Sequence, residues 1–287
     1  MSQIKYFIQF ILIIFIFLIF KILGVRISSF VGGKLIELIG PMFRSKAIIQ
    51  KNIKNVFPEI NTQQLNKIKS SMWNNYGRVF AEYMFMKEFR SGSLSKNISI
   101  EGEEILQRIK ENNQKVIFIS GHFSNFELMA MHIEKAGIDC AAIYRPLNNK
   151  FLNKIMEKIR KRDICKKQIK KGLGGTREIV KLTKKGASIA LMVDQRVREG
   201  QKISFFNHLA TTTTIPAQLI KKYKLKLVPI YIERKNKNFF KLYISKPIRI
   251  GSDKSISEIS LFINKILEKM IQKNVDQWIW THDRWRT

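Results

Sequence analysis

Apolar residues run almost without interruption through the start of the chain. From Tyr6 to Phe20 the only polar side chain is that of Gln9, and beyond Lys21 the apolar character resumes from Ile22 to Val25. A helix of about 20 such residues, rising about 1.5 Å each, matches the roughly 30 Å hydrocarbon layer of a bilayer. The pattern predicts an uncleaved membrane anchor over residues 1–26, with Lys21 reaching a lipid headgroup. A cleaved signal peptide or a soluble core helix is the alternative, but no small-residue cleavage motif follows.

Helical periodicity dominates residues 27–96. Residues 30–49 are apolar with scattered lysines and arginines, which is typical either of an amphipathic stretch at a membrane surface or of a helix packed on the main domain. Between Thr62 and Glu88 apolar side chains recur at helical spacing, which predicts one long helix. They are Leu65, Ile68, Met72, Tyr76, Val79, Phe80, Tyr83 and Met84. A polar loop at residues 90–97 ends this helical, membrane-proximal segment.

From residue 97 onward, short β-branched runs alternate with helical periods. The expected strands lie at residues 98–100, 115–120, 140–145, 188–193, 225–234 and 239–250. The expected helices lie at residues 126–136, 151–162, 176–185, 216–223 and 255–272. Such alternation predicts an α/β domain over residues 97–287, in which a mostly parallel or mixed sheet is flanked by helices.

The charge of the chain limits its partners. The 287 residues include 52 Lys and Arg against 22 Asp and Glu, a formal net charge of +30. Nucleic acid, anionic lipid and an acidic carrier protein all suit that sign. Cys140 and Cys165 are too few and too irregular for a disulfide framework or a zinc site, so we expect both as reduced thiols.

The stretch GHFSNFE, residues 121–127, directly follows the apolar strand at residues 115–120. Open α/β sheets place their ligand crevice at the carboxyl ends of strands, so a site is expected here. His122 falls in the turn and Glu127 in the first turn of the next helix, from which the carboxylate can orient the imidazole. A histidine held in this way is a general base for a hydroxyl proton. The alternative is a surface histidine that caps the helix beside a solvated glutamate.

Three charged residues are further candidates for this site. Asp194 ends the apolar stretch SIALMVD, at the edge that holds His122 if the two strands are parallel. Arg145 ends another strand, where it either clamps a phosphate or an oxyanion, or forms a structural salt bridge. Arg160 lies in the basic run KIRKR of an expected helix, so it either serves the site in the same ways or belongs to a solvated face.

Two polar or aromatic clusters nearer the C-terminus have two interpretations each. The threonines at residues 211–214, followed by Pro216, are typical of a helix N-terminus that either binds a phosphate or is simply capped. Trp278, Trp280 and Trp285 alternate with polar and basic residues, which suits either a membrane-interface anchor or core packing.

The set of motifs resembles the lipid A biosynthesis acyltransferase family, the lauroyl and myristoyl transferases. The matching elements are HFSNFE from His122, YRP at residues 144–146, DQ at 194–195, FF at 205–206 and the tail QWIWTHDRW. They occur in the family's order over nearly the whole chain, after an N-terminal apolar helix. His208 marks a departure, because a glycine commonly stands near that place in the family.

The resemblance implies an enzyme of the bacterial inner membrane with a fold like that of glycerolipid acyltransferases. It would cross the membrane once, keep its catalytic domain on the cytoplasmic side, and move a fatty acyl chain from acyl carrier protein to a hydroxyl of a phosphorylated lipid A precursor. His122 would be the general base and Glu127 its partner, with Arg160 and Asp194 as further catalytic residues. The residues expected to bind substrate are Tyr144, Arg145, Gln195 and Thr213. No cofactor, metal ion or nucleic acid is expected.

Two other functions remain open from the sequence. One is an acyltransferase with the same His and Glu chemistry whose acceptor is a lysophospholipid, a mannosylated lipid or an ornithine lipid. The other is a basic membrane-associated protein that binds nucleic acid or anionic lipid by charge alone. The sequence contains no G-x-S-x-G elbow and no phosphate-loop or dinucleotide fingerprint, so a serine hydrolase or nucleotide enzyme is not indicated.

Overall fold

The computed structural model describes residues 2–286, and its first element is a long apolar helix. Helix α1, Ser2–Ile39, leaves helical geometry at Gly24, where φ is 73° and ψ is 162°. Glycine adopts positive φ at little steric cost, so the helix bends there, close to the predicted end of the anchor. In the part of the chain that the structure describes, this is the one helix long and apolar enough to cross a membrane, by length and composition.

Three shorter helices complete the helical front. They are α2 Lys46–Val56, α3 Thr62–Glu82 and α4 Met86–Ser91. A 3-10 turn at Tyr83–Phe85 separates α3 from α4, so the single helix expected up to Glu88 is broken. Tyr83 and Phe85, at the two ends of this turn, are both buried.

The part of α1 after the kink packs along α3. A Cβ atom built on Gly77 would lie 2.0 Å from the carbonyl oxygen of Gly32, so the two backbones are in contact. Glycines at a helix crossing permit such an approach. The structure therefore favours the packed-helix interpretation for this stretch, although Phe30 and Leu35 remain exposed.

Lys21 has a partner within the protein, which the sequence does not predict. Its ammonium group forms an ion pair with Glu88 and lies 5.2 Å from the centroid of the Phe85 ring. The side chain of Lys21 is still 49% exposed, so its contact with a lipid headgroup stays a prediction. The contact with Glu88 ties α1 to the rest of the protein on the N-terminal side of the kink.

Nine strands lie within residues 2–286. They are β1 Ile98–Glu101, β2 Val116–Ser120, β3 Cys140–Tyr144, β4 Lys167–Lys170, β5 Ser188–Met192, β6 Gln201–Phe205, β7 His208–Thr212, β8 Lys226–Asn236 and β9 Phe239–Ile244. Seven form one sheet in the order β1-β9-β8-β2-β5-β3-β4, and β6 and β7 form a separate hairpin. The strands from β8 to β4 in this order are parallel, whereas β9 is antiparallel to β8. The predicted mixed, mostly parallel α/β sheet is confirmed.

The remaining helices flank this sheet. They are α5 Glu103–Glu111, α6 Glu127–Lys135, α7 Lys150–Ile159, α8 Leu173–Lys184, α9 Ile215–Tyr223 and α10 Ile256–Lys273. All but α5 agree with the predicted helices to within a few residues. A π-helical turn at Arg160–Ile164 continues α7.

The C-terminal tail packs into the core. Trp278, Trp280 and Trp285 are each less than 5% exposed, and Trp285 donates its Nε1–H to the carbonyl of Phe205 at 3.0 Å. Arg284, also buried, donates to the carbonyl of Thr211 at 3.0 Å. The membrane-interface interpretation of the tryptophans is therefore wrong, and the core-packing interpretation holds.

Both cysteines are buried free thiols, as predicted. The Sγ of Cys165 donates to the backbone carbonyl of Cys140 at 3.2 Å.

Candidate active site

The loop between β2 and α6 holds His122 at the carboxyl end of a central strand. Gly121 leaves room for its neighbours, since a Cβ there would lie 2.8 Å from the ring of Phe123 and 3.1 Å from an Asp194 oxygen. Ser124 adopts a left-handed φ of 45°, and its backbone N–H donates to the carbonyl of Gln277 at 2.9 Å. The loop is thus fixed on both sides of the histidine.

Asp194 orients the imidazole of His122. The residue before it, Val193, donates its N–H to Ser120 at 2.9 Å, so the parallel pairing of β5 with β2 brings the carboxylate to the loop. One carboxylate oxygen lies 2.8 Å from His122 Nδ1, and the other accepts the backbone N–H of His122 at 2.8 Å. Trp278 donates its Nε1–H to that second oxygen, also at 2.8 Å. With its Nδ1 proton directed at Asp194, the ring keeps Nε2 as a free base nitrogen.

The two groups shift each other's proton affinity. Burial lowers the pKa of His122, but the charge and hydrogen bond of Asp194 outweigh it, so the pKa lies above its ordinary value of 6.5. Burial raises the pKa of Asp194, yet the interactions with His122 bring it down to about 2. The carboxylate therefore stays ionised beside a more basic imidazole, as general-base catalysis requires.

Glu127 contacts Arg160 rather than His122. The Nε–H and Nη2–H groups of Arg160 donate to one Glu127 oxygen at 3.0 and 2.6 Å, and the Tyr83 hydroxyl donates to the same oxygen at 3.4 Å. The expectation that Glu127 orients the imidazole is thus wrong, because Asp194 holds Nδ1 instead. Asp194 reaches Nδ1 from the end of β5, whereas the Glu127 side chain is held toward the turn that follows α7.

Arg160 is buried in the site, so the interpretation as a solvated surface residue is wrong. Its side chain is 13% exposed and lies over the rings of Tyr83 and Tyr144, at 5.9 and 5.3 Å from their centroids. The π-helical turn begins at this residue, and such turns redirect side chains at functional sites. Within residues 2–286, its Nη1 atom is buried without a hydrogen-bond partner.

A cavity of about 800 Å³ brings the predicted site residues together. Asp194 is the one predicted site residue outside the lining, and it lies directly behind His122. The predicted site residues that line the cavity are His122, Glu127, Tyr144, Arg145, Arg160, Gln195 and Thr213. The volume falls in the range of about 300–1,000 Å³ that is usual for ligand sites. The sequence motifs thus converge on one place.

The substrate-binding candidates differ in how firmly they are held. The Tyr144 hydroxyl donates to Glu157 at 2.6 Å, which fixes its ring under Arg160. Arg145 is exposed and makes no ion pair with any other residue that the structure describes. Gln195 is half-buried at the cavity wall.

Thr213 lies at the cavity and also caps a helix. Its Oγ1 accepts the N–H of Ile215, the first residue of α9, at 3.4 Å. The residues Thr211 and Thr212 belong to β7, so the helix start expected at residues 211–214 begins only after them. This contact supports capping by Thr213, whereas the N-cap residue itself, Thr214, makes no side-chain capping hydrogen bond.

The cavity has an apolar interior and a cationic mouth. The interior is lined by buried side chains from the sheet and its helices: Phe118, Met129, Ile133, Ile164 and Ile179. At the mouth stand the exposed residues Arg44, Arg145 and Lys171. Partial desolvation and the neighbouring charge of Arg145 lower the pKa of Lys171. Such a cavity suits an amphiphile with a hydrocarbon chain and an anionic head.

Two residues of the tail make contacts at the site that the sequence does not predict. Trp278, expected as an interface anchor or a core residue, donates to Asp194, and His282 lines the cavity. His282 Nε2 accepts the backbone N–H of Arg196 at 2.9 Å, and burial lowers its pKa. The composition of the tail was the only sequence signal for these positions. It does not predict a contact with Asp194, because Trp278 and Asp194 are 84 residues apart in sequence.

The α/β sheet, the N-terminal apolar helix and the carboxylate-held histidine at an amphiphile-sized cavity together suit an enzyme that acts on lipids. The whole chain, residues 1–287, matches the family described as bacterial lipid A biosynthesis acyltransferase. This protein is a member of that family, as the sequence motifs indicated.

Known relatives agree with this assignment. The chain is 24% identical over 266 residues to the lipid A biosynthesis palmitoleoyltransferase of Escherichia coli, covering 91% of this chain and 85% of the relative. It is 24% identical over 254 residues to the lauroyltransferase of the same organism, covering 86% and 80%. A solved 1-acyl-sn-glycerophosphate acyltransferase from Thermotoga maritima aligns with 89% of this chain and 100% of its own, at 12% identity. The TM-score of 0.44 is too low to establish a common fold.

Proposed function

We propose that this protein transfers a fatty acyl chain from acyl carrier protein to a hydroxyl of a phosphorylated lipid A precursor. The observation that carries the proposal is the pair of His122 and Asp194, 2.8 Å apart, at the wall of a cavity with an apolar interior and a cationic mouth. Acyl transfer needs a base for the hydroxyl, a space for the chain and a donor for the oxyanion. Candidates for all three surround this cavity.

His122 acts as the general base in the proposed reaction. Its Nε2 takes the proton of the acceptor hydroxyl while the oxygen attacks the thioester carbonyl carbon. The resulting tetrahedral intermediate then expels the thiolate, which takes the same proton from Nε2 and leaves as a thiol. Asp194 keeps Nδ1–H in place and stabilises the imidazolium between the two steps.

Arg160 supplies a fixed positive charge for the oxyanion. Two of its three nitrogens are committed to Glu127, and its remaining Nη1–H groups have no partner within the described residues. A preorganised donor of this kind stabilises developing charge without a cost for reorganisation. In this proposal Glu127 positions Arg160 and does not contact the base.

The two ends of the cavity suit the two ends of the substrates. The acyl chain of the donor occupies the apolar interior, and Arg145 and Lys171 bind phosphate oxygens of the acceptor at the mouth. The excess of positive charge also favours an acidic carrier protein. We place the enzyme at the cytoplasmic face of the inner membrane, where thioesters of the carrier protein are present, with α1 in the bilayer. No cofactor, metal ion or nucleic acid enters this proposal.

The test is an acyl-transfer assay in membranes. Membranes holding wild type, His122→Ala or His208→Ala receive radiolabelled acyl carrier protein thioester and a tetra-acylated lipid A precursor. We expect label in the precursor with wild type, and a loss of about 100-fold or more with His122→Ala, since a general base contributes about 10²–10⁴-fold. His208→Ala is the matched control, because His208 is exposed on β7 away from the cavity, and it should retain full activity.

The identity of the labelled lipid distinguishes the two acyltransferase hypotheses. The label could enter an added lysophospholipid, a mannosylated lipid or an ornithine lipid in place of the precursor, and still depend on His122. That result would show that the acceptor in this proposal is wrong and that the other lipid takes its place. Folded wild-type protein that transfers label to no lipid would overturn it.

A further inference from the structure

Helix α1 contributes directly to the wall of the cavity. Ile13 and Phe17 line it together with His122 and Arg160. Phe17 is only 3% exposed, and its ring packs 4.9 Å from that of Phe80 on α3. A helix that served only as a tether would not contribute side chains to the site.

Contacts near both ends of the first part of α1 hold it, against α7 of the α/β domain at one end and against α4 of the helical front at the other. Near its start, the carbonyl of Tyr6 accepts a hydrogen bond from Asn149 at 2.8 Å, and the ring of Phe7 lies 5.6 Å from that of Phe151 on α7. Near the kink, Lys21 pairs with Glu88 on α4. The segment between these two points therefore has a fixed position beside the cavity.

The opposite face of α1 is apolar and exposed. Its exposed side chains include Ile4, Ile8, Ile11, Leu12, Phe15, Leu18 and Ile22. The continuous apolar character and the length of this helix suit the hydrocarbon layer of a membrane. Leu147 and Tyr76, which also line the cavity, are themselves exposed.

These observations give α1 two different faces, one toward hydrocarbon and one toward the substrate cavity. We infer that α1 forms one wall of a lateral entrance between α1 and α7, through which an acyl chain of a membrane phosphoglycolipid reaches the cavity from the bilayer, outside the interior that holds the donor chain. This inference rests on the proposed function for the identity of the lipid. The phosphorylated headgroup stays at Arg44, Arg145 and Lys171, so the acceptor never has to leave the membrane as a whole.

A pair of adjacent tryptophan substitutions separates the two faces. Ile13→Trp adds bulk on the cavity side, and Leu12→Trp adds the same bulk on the exposed side. For a precursor embedded in phospholipid vesicles, we expect Ile13→Trp to raise KM about tenfold with kcat within about twofold, because it obstructs binding and leaves the chemistry intact. Leu12→Trp should leave both constants unchanged. Equal effects of the two substitutions, or no effect of either, would overturn the inference.

A photo-crosslinking measurement does not depend on turnover. Full-length protein carrying a photoreactive phenylalanine at position 13 or at position 12 is irradiated in phospholipid vesicles that contain a trace of radiolabelled tetra-acylated precursor. We expect position 13 to capture the label saturably and to lose it when unlabelled precursor is added. Position 12 should capture lipid only in proportion to its abundance.

The two measurements distinguish the possible failures. Saturable capture at position 13 in a protein without acyl transfer would reject the proposed function and keep the entrance. Active protein in which position 13 behaves as position 12 does would reject the entrance and keep the function.

Discussion

For Asp194 and Glu127, the local sequence predicts a position near His122 but not which carboxylate bonds to the imidazole. Both carboxylates were placed near His122 from the sequence, because one ends a parallel strand and the other begins the next helix. Which of them bonds to the imidazole depends on side-chain direction, and that is set by contacts far away in the sequence. The Trp278 indole fixes Asp194, and Arg160 draws Glu127 away.

The pair of His122 and Asp194 leads to a prediction about pH. The proposed reaction needs neutral His122, whose pKa is raised mainly by Asp194 against the effect of burial. Activity of the wild type should therefore fall as pH drops through a value above 6.5. In Asp194→Asn the raising charge is gone, so the acid limb of kcat/KM should move to lower pH. Its plateau should be lower by about 10²–10⁴-fold, because the ring loses its orientation.

The pH profile separates this account from a structural role for Asp194. The measurement is kcat/KM against pH for wild type, Asp194→Asn and the control Asp253→Asn, which alters an exposed aspartate. A lower plateau with an unmoved acid limb would show that Asp194 does not set the proton affinity of the base.

Among the elements, a buried ion pair links α3 and β8 beside the loop that carries His122. Glu82 on α3 pairs with Arg234 on β8, and their side chains are 0% and 8% exposed. The same carboxylate accepts hydrogen bonds from Ser29 on α1 at 2.8 Å and from Asn125 in the loop at 2.9 Å. Breaking such a pair by removing one partner leaves a buried charge uncompensated. The helical front is therefore connected to the loop that carries His122.

The crossing of α1 and α3 gives a prediction about stability. In Gly77→Val a Cβ atom would meet the backbone of Gly32, which has no flexible end to move aside. We expect the free energy of unfolding to fall by about 1–3 kcal/mol, as for other overpacked contacts. Thermal unfolding in detergent measures this, with Gly174→Ala as the control because nothing lies within 4 Å of its added Cβ. An unchanged melting temperature in Gly77→Val would mean that the two helices do not pack as described.

The elements that the sequence missed lack the pattern on which strand prediction depends. The strand β4 buries only Ile169 of its four residues, so no apolar alternation marks it. The hairpin of β6 and β7 turns through Phe206 and Asn207, both at positive φ, without the glycine that usually signals such a turn. By contrast, β2 is buried along its whole length and was predicted almost to the residue.

At the scale of the whole molecule, the sequence predicted the architecture but not the relation between anchor and site. The order of strands and helices follows from periodicity, and parallel strands bring His122, Arg145 and Asp194 to one edge. That α1 reaches the same cavity follows from packing between residues more than a hundred positions apart, such as Tyr6 and Asn149. No local pattern encodes such a contact.

The most direct test asks whether acylation of lipid A requires His122. Wild type and His122→Ala would each be expressed in a Gram-negative strain whose lipid A stops at four acyl chains, and the lipid A would be weighed by mass spectrometry. We expect one added acyl chain with wild type and none with His122→Ala, at equal amounts of membrane-bound protein. An unchanged lipid A mass with folded wild type, or the same added chain with both proteins, would contradict it.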